Sequence, residues 1–269
     1  MRKNASAISI AYFTFLLLVV FSGTLVGAAS EAMYFLAYIV PFFAVVIFTD
    51  REVPKASEFS LSRDSKRLFA PIIAPTVFFV ALLSLLTSFV ISLFSDGAAS
   101  VDLGDDLLFA LFYHALLPSV LEEMLFRFLP MRYLASESPR FAVIFSATFF
   151  SLAHHSFFSM PYAFFAGAVF MIINLLFESC LPSIILHFIN NAISVVWTFF
   201  FADRFESFVL LLVLSVPTLI SVFFVIKHRH RYAEKASVIF SGGRELFLTP
   251  SMIFAAVVAL LAAVLELAV

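Results

Sequence analysis

The chain has 269 residues, of which 63% are hydrophobic and only 13% are charged. A water-soluble domain is about one quarter charged, so this composition excludes that class and indicates a membrane protein. The formal net charge is −2, from 16 basic and 18 acidic side chains, which leaves no basic surplus for binding a nucleic acid backbone. The single cysteine, Cys180, excludes a disulfide framework and a cysteine-based zinc ribbon.

Almost the whole chain consists of apolar segments. Their length is close to the roughly 20 residues that a membrane-spanning helix needs. They predict an all-α, polytopic transmembrane bundle of about nine helices. The segments are 8–28, 32–48, 68–94, 107–129, 141–158, 162–177, 181–201, 207–226 and 252–265. The first one follows Arg2 and Lys3, as a secretory signal would, but its apolar run is longer than the roughly 7–15 residues typical of a signal. A span is therefore the favoured interpretation.

Lysine and arginine are concentrated in every second loop between these segments, and cytoplasmic loops are expected to hold the excess. The loops on one side of the membrane contain Arg2, Lys3 and the basic stretches 51–67, 132–140 and 227–244. The loops on the other side contain the acidic stretch 96–106 and a single basic residue, Arg204. This distribution predicts a cytoplasmic amino terminus, and an odd number of spans then places the carboxyl terminus outside.

Several ionisable and amide side chains lie within three of the apolar segments, where a charged group costs about 2.5–3.5 kcal/mol to insert. Because inserting these side chains into the bilayer costs free energy, their presence indicates a functional site. They are His114, Glu122, Glu123 and Arg127 in the fourth segment, His154 and His155 in the fifth, and His187, Asn190 and Asn191 in the seventh.

Helical spacing assigns the two neighbouring glutamates to different faces. Glu123 and Arg127 are four residues apart, so they share a face and are expected to form an ion pair. Glu122 is rotated by about 100° and has no partner on its own helix, which suits a group that exchanges protons with water. His187 and Asn191 also share a face. Together these groups fit a site that activates water and stabilises an oxyanion, or a metal site.

Three motifs in a fixed order resemble a known family. Residues 122–127 fit E-E-x-x-x-R, residues 150–154 fit F-x-x-x-H, and residues 187–191 fit H-x-x-x-N. The order and the placement on hydrophobic segments resemble the CPBP intramembrane proteases, also called the CAAX prenyl protease 2 or Abi family. The resemblance divides the chain into N-terminal transmembrane helices at 1–106, a protease-like core at 107–201 and C-terminal transmembrane helices at 202–269.

The resemblance implies an intramembrane endopeptidase that hydrolyses a peptide bond of a membrane-associated protein or peptide. In it, Glu122 and His154 would activate water for attack on the carbonyl. His187 and Asn191 would stabilise the developing oxyanion. The pair of Glu123 and Arg127 would support the site, and His155 would be a polar neighbour.

The same resemblance leaves the metal question open. The family is also described as metalloproteases, in which case Glu122, His154 and His187 would be the ligands of zinc or another divalent metal. We favour a mechanism without a cofactor, because the amide of Asn191 is a poor zinc ligand but a good neutral hydrogen-bond donor.

Other interpretations of the buried polar residues are a packing role, a transporter or proton relay, and a non-catalytic protein that binds a membrane partner or confers immunity. The chain has no H-E-x-x-H and no G-x-S-G motif, which argues against zinc proteases of the site-2 type and rhomboid-like serine proteases. We expect a multi-pass protein of a prokaryotic cell membrane. Its partners would be the lipid bilayer and a membrane-associated polypeptide, with no nucleic acid.

Overall fold

The computed structural model describes residues 2–49, 54–94, 103–154, 156–200, 204–240 and 249–266. Over these ranges the chain forms ten helices and no β-strand. Seven of the helices are long and apolar enough to cross a membrane, and the apolar helices at 139–153 and 250–266 are slightly shorter. The prediction of an all-α transmembrane bundle with about nine spans is confirmed.

The helices follow one another along the chain, and a 3₁₀ turn at Ala56–Phe59 precedes the third. They are α1 (Arg2–Ser22), α2 (Ala28–Thr49), α3 (Arg63–Phe94), α4 (Leu107–Tyr133), α5 (Pro139–Ala153), α6 (Met160–Phe177), α7 (Leu181–Phe200), α8 (Arg204–Lys227), α9 (Arg229–Phe240) and α10 (Pro250–Glu266).

Two elements differ from the sequence-based expectation. Helix α5 has 15 residues and is about 22 Å long, shorter than the hydrocarbon core of roughly 30 Å. The expected segment continued to residue 158 because Phe157 and Phe158 extend the apolar run, but the backbone turns after Ala153. The basic stretch after α8, expected to be a loop, contains the additional helix α9.

Helix α4 carries the predicted acidic pair and contains two π-helical stretches, Leu111–Leu116 and Met124–Phe128. Each stretch ends two residues before a proline, Pro118 or Pro130. Proline has no N–H to donate, and its ring clashes with the carbonyl four residues earlier. A widened turn relieves this clash, and π-helical turns are frequent at functional sites.

Side chains from neighbouring helices stabilise the second widened turn. In an α-helix the missing N–H of Pro130 would serve the carbonyl of Phe126, and in a π-helix it would serve that of Leu125. Both carbonyls accept a hydroxyl instead: Ser146 of α5 donates to Phe126 at 2.6 Å, and Tyr12 of α1 donates to Leu125 at 3.2 Å. These bonds hold the turn that follows Glu123 between α1 and α5.

The hydrophobic core has a large cluster that joins α1, α2, α4, α5, α6 and α10, and a second cluster that joins α3, α6 and α7. Helix α8 packs on α3 at the periphery, and no described side chain in its apolar span Val209–Lys227 is buried. The predicted acidic pair therefore lies in the centre of the bundle, whereas α8 faces the surroundings.

Candidate active site

Glu123 is the centre of a buried ionic cluster. Its Oε2 lies 3.4 Å from Nε of Arg127, and both side chains are completely buried. Its Oε1 lies 2.8 Å from Nδ1 of His187 on α7, and an ionised carboxylate only accepts hydrogen bonds, so the imidazole donates. The ion pair expected from the four-residue spacing is present, and the contact with His187 connects α4 to α7.

Arg127 is stabilised mainly by charge and by an aromatic ring. The 3.4 Å contact with Glu123 lacks hydrogen-bond geometry, and the guanidinium nitrogens have no hydrogen-bond partner within the described parts of the chain. The Cζ atom lies 3.7 Å from the centroid of the Phe150 ring. A desolvated cation–π contact of this kind contributes about 2 kcal/mol. Phe150 therefore supports the arginine that balances the charge of Glu123.

Glu122 points to different partners than Glu123. Its Oε2 lies 3.7 Å from Nε2 of His187, and the hydroxyl of Tyr38 on α2 donates to its Oε1 at 3.5 Å. The Tyr38 hydroxyl is also 3.0 Å from that of Tyr34. Sequence analysis did not identify these two tyrosines. Their four-residue spacing on one face of an apolar helix was the available signal.

His154 lies at the carboxyl end of α5. Its Nδ1 is 2.9 Å from the carbonyl oxygen of Phe150, so Nδ1–H donates to this carbonyl and Nε2 keeps its lone pair. The ring of Phe150 packs against the imidazole with centroids 4.6 Å apart. The nitrogen that could accept a proton is thus set by the first residue of the F-x-x-x-H motif. The neighbouring His155 lies outside the described residues.

A cavity of about 270 Å³ brings Glu122 and His154 to one space. Water occupies about 30 Å³ per molecule in the liquid, so the cavity is large enough for several. The tyrosines of α2 and aromatic and aliphatic residues of α1, α4 and α5 form the rest of its wall. The lining residues are Phe15, Val19, Tyr34, Tyr38, Glu122, Phe126, Phe150, Ala153 and His154.

The predicted oxyanion donors, His187 and Asn191, are not among the residues that line this cavity. His187 reaches the site through its contacts with both glutamates. The Nδ2 of Asn191 donates to Oγ of Ser119 at 3.4 Å, and Oδ1 of Asn191 accepts from Asn190 at 3.4 Å. Ser119 precedes Glu122 by three residues on α4. Asn191 is therefore about one helical turn from the acidic pair, without a direct contact to it.

The fit of a metal ion can be judged from the arrangement of possible ligands. Glu122 and His187 approach each other closely, and His154 has a ring nitrogen free to coordinate. However, no three His, Cys, Asp or Glu side chains among the described residues are arranged to hold one ion. The three expected ligands thus do not form a ligand shell in this conformation.

The fold and the site define the class of this protein: an integral membrane protein with an ionisable cluster and a polar-lined cavity inside a helical bundle. Residues 104–193 match the family model described as Rce1-like, type II CAAX prenyl endopeptidase. The match covers about one third of the chain and includes all six predicted site residues. It confirms the resemblance to the CPBP intramembrane proteases. Comparisons with curated proteins and with solved structures found no match.

Proposed function

We propose that the protein is an intramembrane endopeptidase that hydrolyses a peptide bond of a membrane-associated protein or peptide. The observation that carries this proposal is the shared cavity of Glu122 and His154 within the segment that matches the endopeptidase family. Glu123 is excluded from the cavity by its contacts with Arg127 and His187, so Glu122 is the carboxylate available to water.

In the proposed reaction, Glu122 takes a proton from a cavity water while the water oxygen attacks the carbonyl carbon of the peptide bond. Nε2 of His154 accepts a hydrogen bond from the same water and orients it. The proton then passes from Glu122 to the leaving nitrogen as the C–N bond breaks. One water is consumed, a carboxylic acid and an amine are formed, and Glu122 returns to its ionised form.

His187 and Asn191 are proposed to stabilise the negative charge on the attacked carbonyl oxygen. Because Nδ1–H of His187 donates to Glu123, only a second proton on Nε2 can reach the oxyanion. Oε2 of Glu122 lies 3.7 Å from this Nε2 atom. For Asn191, the long bond to Ser119 is replaced by a bond to the oxyanion when substrate binds.

The test of this function is the change of the membrane proteome when Glu122→Gln replaces the wild type. We expect the amide to abolish cleavage while the protein level stays normal, because the carboxylate transfers protons and is not needed for packing. The matched control is Glu178→Gln, which removes an exposed carboxylate at the α6–α7 turn. An uncleaved substrate should accumulate in the Glu122→Gln strain alone. Normal processing in that strain would contradict the proposal.

The companion substitution Glu123→Gln separates the roles of the two glutamates. It leaves the fully buried Arg127 without its counter-ion, and breaking a buried ion pair costs about 3–5 kcal/mol. We therefore expect both protein abundance and activity to fall, measured by immunoblot and by cleavage per molecule. A well-folded, inactive Glu123→Gln variant beside an active Glu122→Gln variant would reverse the assignment.

A further inference from the structure

A second cavity lies far from the acidic pair, where the start of α3 meets the end of α8. Its volume is about 470 Å³. Three basic side chains from three parts of the structure line it: Arg67 of α3, His228 between α8 and α9, and Arg231 of α9. The tendency of basic residues to collect at the cytoplasmic ends of spans explains their presence. This tendency does not require the three side chains to line the same cavity.

The charges of this basic cavity are available to a ligand. Among the described residues, Arg67 has a carboxylate contact with Asp64 at 4.0 Å, and the two side chains are 66% and 72% exposed. An exposed ion pair of this length contributes little. Within the described parts of the chain, His228 makes a hydrogen bond through Nδ1 alone, which is 2.9 Å from the carbonyl oxygen of Phe224. The Arg231 side chain is exposed, as that of Arg67 is, so two guanidinium groups and one imidazole nitrogen are accessible.

The remaining wall of the basic cavity is apolar except for Ser221, and it faces the surroundings of the bundle. Pro71 of α3 and Ile220 and Phe224 of α8 line it, and no described side chain in the span Val209–Lys227 of α8 is buried. A ligand that matches both halves has an anionic head and apolar tails. This combination distinguishes a phospholipid from a free inorganic anion.

Hydrogen bonds from α8 and α9 hold the frame of the cavity. The hydroxyl of Tyr232 donates to the carbonyl of Leu68 at 2.8 Å, and that of Thr218 donates to the carbonyl of Ala74 at 3.2 Å. Lys235 attaches α9 to the end of α6 through a 3.3 Å bond to the carbonyl of Leu176. The basic side chains thus project from anchored backbone.

We propose that this basic cavity binds the phosphate headgroup of an anionic phospholipid, with the acyl chains against the exposed face of α8. The two arginines contact the phosphate oxygens. Basic pockets between transmembrane helices at the membrane surface are suited to such headgroups. This site is separate from the proposed active site and does not depend on its chemistry.

The experiment is native mass spectrometry of the full-length protein in detergent, with phosphatidylglycerol or phosphatidylcholine added. We expect the wild type to retain phosphatidylglycerol preferentially, and the double variant Arg67→Gln/Arg231→Gln to bind it about tenfold or more weakly. The matched control is Arg63→Gln/Arg229→Gln, which removes the same charge from two exposed positions outside the cavity and should bind like the wild type.

Two further measurements keep the test decisive. The single variant Arg231→Gln changes only an exposed side chain, so it reports on binding even if the double variant folds poorly. An arm with inorganic phosphate distinguishes the source of the phosphate group, and wild-type binding of phosphate as tight as that of the lipid would overturn the proposal. Equal losses in the two double variants would also overturn it, because the binding would then be unspecific surface attraction.

Discussion

At the residue scale, the hydroxyl of Tyr38 donates a hydrogen bond to Glu122 from outside the family-matched segment. In the proposed mechanism it orients the carboxylate that takes the proton from water. We expect Tyr38→Phe to lower kcat about tenfold with little change in KM, because one hydrogen bond to a charged group is lost while the ring still packs.

Steady-state kinetics on purified protein would check this expectation. The control is Tyr34→Phe, which removes a hydroxyl whose hydrogen bond, at 3.0 Å, is with the hydroxyl of Tyr38. Its effect should be smaller. If both variants keep the wild-type kcat, Tyr38 does not position Glu122.

The metal-free proposal also makes a prediction at the scale of single residues. Purified, active protein should contain no stoichiometric zinc, and incubation with a chelator should leave cleavage unchanged, because in the proposed mechanism Glu122, His154 and His187 act directly on water and oxyanion. Elemental analysis beside an activity assay tests this, with the Glu122→Gln variant as the inactive baseline. Stoichiometric zinc whose removal and return switch cleavage off and on would refute the proposal.

At the scale of the elements, α5 and α6 approach each other closely at Gly167. A Cβ atom at this position would lie 3.1 Å from Cδ1 of Phe150 and 3.3 Å from Cα of Ala147. It would also lie 3.4 Å from Nη2 of Arg127. The backbone of α5 cannot yield as a flexible side chain can, so the absence of a side chain here allows Phe150 to cover the arginine.

We therefore expect Gly167→Ala to destabilise the protein by about 1–3 kcal/mol, the usual cost of overpacking a core. The measurement is the melting temperature in detergent, with cleavage as a second readout. Gly23→Ala is the control, because its Cβ would meet only the carbonyl oxygen of Val20, at 3.4 Å. An unchanged melting temperature in Gly167→Ala would show that α5 and α6 can separate without cost.

At the scale of the whole molecule, the membrane topology can be tested by labelling introduced cysteines in a protein that keeps its native Cys180. The only cysteine, Cys180, is fully buried, and burial raises the pKa of its thiol, so little reactive thiolate forms at neutral pH. The wild type should therefore not react with a maleimide. Cysteines introduced at single sites can then be read without removing Cys180.

The distribution of lysine and arginine predicts that Arg63→Cys and Arg229→Cys are protected from an impermeant maleimide in intact cells and react after permeabilisation. Both positions are exposed to solvent or headgroups. Asp105→Cys, in the acidic stretch on the opposite side, should react in intact cells and serves as the positive control. Efficient labelling at position 63 or 229 from outside would invert the predicted orientation.

The sequence by itself determined those features that depend on composition or on contacts within one helix. A high apolar content, in segments of spanning length, sufficed for the helical membrane fold, because a bilayer leaves few other ways to satisfy the backbone. The ion pair of Glu123 and Arg127 followed from their spacing, because residues four apart meet on any helix. The order of the three motifs was enough to indicate the family.

Only the tertiary structure decided which helices meet around the acidic pair. Spacing shows which face of its own helix a residue occupies, but the rotation and depth of each helix depend on packing against all the others. For this reason the contacts of Glu122 with Tyr38 and of Glu123 with His187 could not be derived from the motifs. The end of α5 at Ala153, which sets the position of His154, could not be predicted from the sequence either. The reason is that apolar side chains continue past the point where the backbone turns.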